Sequence, residues 1–107
     1  MTNLFSAIPK QLPEELFTTL LQQGNVRIER IVSQGHSTPP EAWYDQAWDE
    51  WLILLQGQAT LVYKDLSAPV HLSAGDYLFI PAHHQHRVDW TPADVHTIWL
   101  AVHLSAN

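Results

Sequence analysis

Two side chains stand where chemistry could begin. Glu50 opens the run Glu50-Trp-Leu-Ile-Leu-Leu-Gln-Gly57, and His86 closes the run Gly75-Asp-Tyr-Leu-Phe-Ile-Pro81-Ala-His-His-Gln-His86. A carboxylate and a neutral imidazole can hold a divalent ion such as Zn, Fe, Ni or Mn once further ligands complete the shell. The same pair can pass a proton to and from a bound molecule. Seven histidines and five tryptophans in 107 residues point to a ligand pocket. The chain has no cysteine, so thiolate metal sites, disulfides and a cysteine nucleophile are all excluded. No serine-histidine-acid arrangement, phosphate-cradling glycine loop or dinucleotide fingerprint occurs either.

Alternation along a strand decides which residues can share a pocket. Glu50, Leu52 and Leu54 fall on one face, and so do His86, Val88 and Trp90. If both faces look inward, Glu50 and His86 meet among apolar neighbours. The candidates to complete a metal shell with them are Asp45 or Gln46, and His36 just after Gly35. The competing reading has Glu50 accepting a hydrogen bond from His86 or a tyrosine in a metal-free pocket. His83 is a pocket candidate, although by parity it lies opposite His84 and His86 or in the preceding turn. His103 shares a face with Trp99 and Ala101, so it is either an inward polar residue or a hydrogen-bonded core histidine. His71 and His96 read as solvated surface.

These residues need elements to hold them. Pro13 at a first-turn position, Glu14 and Glu15, then Leu16, Phe17, Leu20 and Leu21 ahead of Gly24 predict an amphipathic helix over about 13–22. From Asn25 the period changes to short runs rich in Val, Ile, Trp and Tyr, punctuated by Gly, Pro and Asp. Strands are predicted near 26–33, 42–46, 50–55, 58–64, 69–73, 77–80, 84–90 and 95–104. Gln56-Gly57 reads as a two-residue hairpin turn and Ala74-Gly75-Asp76 as another tight turn. No repeat, linker or low-complexity stretch divides the chain, so residues 1–107 are expected to form one all-β domain with a short N-terminal helix and a barrel over about 25–104.

The two runs around Glu50 and His86 resemble the motifs of the cupin superfamily, over roughly residues 30–103. The glutamate and glycine of its first motif match Glu50 and Gly57; the glycine, proline and histidine of its second match Gly75, Pro81 and His86. The resemblance implies a double-stranded β-helix, or jelly-roll barrel, that binds a small molecule and associates as a homodimer. The family's first-motif histidine pair would fall at Trp43 and Asp45, or one residue later at Tyr44 and Gln46, and neither register holds a histidine. His83 stands where the family has glycine, and Trp90 where it has asparagine. The Trp43-Tyr44-Asp45-Gln46 run marks a small-cupin subgroup. Trp43 falls at the barrel mouth by this alignment and is a candidate pocket residue with Tyr44 and Gln46, whereas Trp51 reads as structural filling.

Eleven acidic against five scattered basic residues give a net charge of −6, which disfavours nucleic acid as a partner. Met1–Lys10 has neither the basic start nor the apolar run of a signal peptide, and no stretch is of membrane-spanning length, so a cytoplasmic location is expected. Three readings of function follow. One is a metal-dependent cupin oxygenase, isomerase or lyase with Glu50 and His86 as catalytic and metal-holding residues. The second is a metal-free module that binds or senses a small molecule, and the third a remnant site kept only as packing.

Overall fold

The structure, a computed structural model, describes residues 2–106. Eight strands follow one another: β1 (Leu16–Gln23), β2 (Val26–Ser33), β3 (Asp49–Gln56), β4 (Gln58–Tyr63), β5 (Val70–Ser73), β6 (Tyr77–Ile80), β7 (His86–Trp90) and β8 (Thr97–Leu104). They form a five-stranded sheet in the order β1-β2-β8-β3-β6 and a three-stranded sheet in the order β5-β4-β7. All the pairings are antiparallel. Among the described residues no helix is long and apolar enough to cross a membrane.

The helix expected over 13–22 is a strand instead. β1 pairs with β2 through a hairpin at Gly24-Asn25, and its register slips between Thr19 and Leu21. Leu20 is the extra residue of that bulge, and a bulge moves the residues beyond it to the opposite face. Leu16 and Leu21 therefore lie on one face although they are an odd number of residues apart. The result imitates helical spacing on a chain that is extended.

The Gln56-Gly57 hairpin is also corrected. β3 pairs with β6 and β8 while β4 pairs with β5 and β7, so Gly57 is a corner where the chain leaves one sheet for the other. Its φ of +90° and a Cβ position only 2.6 Å from Thr97 Oγ1 leave room for glycine alone. Between the sheets, Leu52, Leu54, Ala59, Leu61, Leu72, Ile80, Trp99 and Ala101 form one buried cluster. A second, smaller cluster of Leu12, Val32 and Ile98 sits on the outer side of the large sheet, under the N-terminal segment. Arg30 ties that segment down by donating to the Leu4 and Ser6 carbonyls.

The strand expected at 42–46 shrinks to one bridge, Tyr44 with His86. That bridge still fixes the local parity and so decides which residues of the run look inward.

Candidate functional site

The inward face of the large sheet is graded along its strands. One row across β2, β8 and β3 reads Arg27, His103, Glu50; two residues deeper it reads Glu29, Ala101, Leu52; the next reads Ile31, Trp99, Leu54. The polar row stands at the open end and the apolar rows form the floor. Together with Leu61 and Val88 from the opposite sheet and Tyr44, Gln46 and Trp48 from the loop before β3, these rows enclose a cavity of about 360 Å³. A volume in this range suits a small ligand, and an apolar lining with a few convergent polar groups is the usual form of such a site.

Glu50 and His86 both line the cavity, from opposite sheets, and are only 5% and 6% exposed. Gln46 donates its amide to Glu50 Oε1 at 3.0 Å. His86 Nδ1 lies 2.8 Å from the His84 carbonyl oxygen. A carbonyl only accepts, so Nδ1 carries the proton and Nε2 is left with its lone pair. Tyr44 stacks on the His86 ring with centroids 5.6 Å apart and exchanges two backbone hydrogen bonds with it. Burial pushes the Tyr44 phenol above the ordinary tyrosine range, and the Glu15 carboxylate pushes it further.

His103 forms a second polar cluster. Trp48 Nε1–H donates to His103 Nδ1 at 2.9 Å, and His103 Nε2 donates to Glu29 Oε1 at 3.1 Å. The tryptophan fixes the tautomer, because it leaves Nδ1 only the acceptor role. Deeper in, Trp99 Nε1–H donates to the Ser33 hydroxyl, which donates to Glu15.

Of the residues singled out from sequence, Glu50, His86, Tyr44, Gln46 and His103 come together around this cavity. Four do not. Asp45 turns outward to His83 Nδ1 at 2.7 Å, with both side chains largely solvated. His83 itself holds a positive φ of 64° in the turn before β7. His36 accepts from the Gln34 amide and reaches the Pro13 carbonyl. Trp43 lies under the Arg87 guanidinium, 5.3 Å from its ring centroid. Inward parity belongs to Tyr44 and Gln46, so the Trp43 and Asp45 register points away from the cavity.

This geometry bears on the divalent ion implied by the resemblance. Asp45 and His36 are engaged elsewhere and both ring nitrogens of His103 have partners. Among the described residues no cluster of three or more His, Asp or Glu is arranged to hold an ion. Of the ligands expected from the sequence, one imidazole and one carboxylate remain, which falls short of the three protein ligands of a catalytic zinc site.

Three charged lining residues escaped the sequence reading: Glu15, Arg27 and Glu29. The alternation Arg27, Glu29, Ile31 against Val26 and Ile28 carried a signal, since charges on one face of a long strand between apolar positions need a reason to be there. Glu15 was hidden by the expected helix, which gave it a role at a helix end.

The site and fold define a small two-sheet β-barrel with a ligand-sized cavity, open at a polar rim. Residues 29–103 match the family described as "Cupin domain", and the chain belongs to that family. Among curated proteins no match is found. Among solved structures the chain is similar to a "putative mannose-6-phosphate isomerase" of Ralstonia eutropha JMP134, at 42% identity and a TM-score of 0.94, over 99% of this chain and 98% of that one. It shares its fold with a cupin superfamily protein of Desulfitobacterium hafniense DCB-2, at 23% identity and a TM-score of 0.74, over 92% and 84% of the two chains. It also shares it with a cupin 2 conserved barrel domain protein of Salinispora arenicola CNS-205, at 23% identity and a TM-score of 0.69, over 86% and 76%.

Proposed function

We propose that this cupin binds a small hydroxylated molecule in the Glu50–His86 cavity and moves a proton on it, as an isomerase does, without a resident metal. The observation that carries this reading is the His86 tautomer: with Nδ1–H held by the His84 carbonyl, Nε2 keeps its lone pair on a ring that lines the cavity and can serve as a base. Isomerisation beside a carbonyl needs one group to take a proton from carbon and return it to the neighbouring carbon, while a second serves the oxygens. His86 Nε2 and the Glu50 carboxylate supply both. The likeness to the Ralstonia protein supports an isomerase and a sugar-sized ligand.

The test is direct. Mannose 6-phosphate and mannose are incubated with the protein in deuterated water, and ketose formation and deuterium uptake are followed. Product and label that fall about 10²–10⁴-fold in His86→Gln and Glu50→Gln match the expected weight of acid–base groups. Binding without turnover or exchange overturns proton transfer. Stoichiometric Zn, Fe, Ni or Mn in protein purified without chelator, lost in both Glu50→Ala and His86→Ala, overturns the metal-free part.

A second reading, a module that binds or senses its ligand without turnover, is favoured by the pairing of Glu50 and His103 before any ligand arrives: Gln46 with Glu50, and Trp48 with His103 and Glu29. In either reading we propose a homodimer, formed through the outer face of the large sheet.

A further inference from the structure

Among the described residues, three arginines have a buried Nε with no hydrogen-bond partner: Arg27, Arg30 and Arg87. Two of them are anchored through their terminal nitrogens, Arg30 on the Leu4 and Ser6 carbonyls and Arg87 on the Asp89 carboxylate. Arg27 is different. Among the described residues, none accepts a hydrogen bond or forms an ion pair with its guanidinium, which lies 5.7 Å from the centroid of the Trp48 ring and lines the cavity.

A guanidinium partly withdrawn from water with no carboxylate within ion-pair distance is a costly arrangement. The nearby acids do not relieve it: Glu29 accepts from His103, Glu50 from Gln46 and Glu15 from Ser33. Each of those carboxylates has a neutral or imidazole donor, and the strongest donor on the rim has nothing. Stacking on Trp48 also holds the planar fork in place, which suits two-point recognition of a carboxylate or phosphate.

We infer that Arg27 anchors an acidic group, a carboxylate or a phosphate monoester, on the molecule the cavity takes. This rests on the cavity being a ligand site, and it adds the class of ligand. Arg27 faces His103 across the β2–β8 ladder and His103 faces Glu50 across the β8–β3 ladder. The Arg27 backbone therefore lies about two strand spacings, roughly 10 Å across the strands, from that of Glu50. Such a ligand carries its acid at one end and its hydroxyl or carbonyl groups at the other, beside Glu50 and His86.

Trp48 lies under the arginine, so its fluorescence reports the arrival of an anion. Inorganic phosphate and succinate are titrated at low salt into wild type, Arg27→Met, Arg27→Lys and His86→Gln, with erythritol as the neutral control. The expected result is saturable binding of one or both anions to wild type, weakened at least tenfold in Arg27→Met, partly restored in Arg27→Lys and retained in His86→Gln. Which anion binds tells carboxylate from phosphate. Equal affinity in Arg27→Met, or no response of wild type to either anion, overturns the inference. Anion binding that persists where turnover fails removes only the proton-transfer reading.

Discussion

Glu50 lies directly opposite His103 in the β3–β8 ladder, whereas His86 approaches the same cavity from β7 in the other sheet. The carboxylate thus has one histidine beside it within its own sheet and another facing it across the barrel. The two imidazoles differ in availability. His103 is held at both nitrogens, by Trp48 and Glu29, and His86 at one. His103 shapes the rim, and His86 is the imidazole that the proposed proton transfer calls on.

Trp48→Phe keeps a ring but removes the indole N–H, so His103 Nδ1 loses its donor and Arg27 its best platform. The expected loss is about 1–2 kcal/mol. It should appear in urea unfolding as a lower midpoint with an unchanged slope, the sign of altered stability rather than altered compactness.

The buried tyrosine near Glu50 predicts a pH dependence. Burial pushes the Tyr63 phenol up, and the Glu50 and Asp65 charges push it further. The folded protein therefore holds this proton to higher pH than the unfolded chain does. The stability it contributes is fully present below the unfolded value, about pH 10, and is lost as pH rises through the raised folded value. Tyr63→Phe should flatten the alkaline fall in the unfolding midpoint. Glu50→Gln should bring the phenol part of the way down, read by tyrosinate absorbance, because burial is the larger cause and remains.

Two turn glycines test what the corner between sheets demands. Both have positive φ, yet a Cβ at Gly75 meets nothing within 4 Å while one at Gly57 meets Thr97 side chain and backbone at 2.6–3.0 Å. Gly75→Ala should cost about 1 kcal/mol, the conformational part alone. Gly57→Ala adds a clash with backbone that cannot move freely, so its thermal midpoint should fall well below that of Gly75→Ala.

The barrel was legible because strand alternation and turn residues agree from Asn25 onward, and because the Glu50–Gly57 and Gly75–His86 spacings mark two connected strand segments. Local pattern failed at β1, where the bulge at Leu20 turned a strand into an apparent helix and hid Glu15. It also left two registers open for residues 43–46. What chose between them was the long-range bridge from Tyr44 to His86, a contact that neighbouring residues cannot encode. The corner at Gly57 escaped for a related reason: a glycine needing positive φ looks the same in a hairpin and in a crossing between sheets.

The outer face of the large sheet carries the last prediction. Trp51 lies between Phe79 and Val102, and Ile53 between Tyr77 and Leu100, so six apolar side chains form one continuous patch across β6, β3 and β8. Tyr77 and Phe79 are 67% and 52% exposed. The N-terminal segment covers only the other end of this face, around Val32 and Ile98. A patch of this kind on a monomer marks an interaction surface, and a sheet face can meet a second copy of itself through a two-fold axis. Light scattering should give twice the 12.2 kDa chain mass for wild type and the single mass for Phe79→Lys, with β-sheet circular dichroism unchanged because Phe79 contributes little to the core. A wild-type protein that scatters as a monomer at micromolar concentration defeats the proposal. A lysine variant that remains a dimer moves the interface to another face.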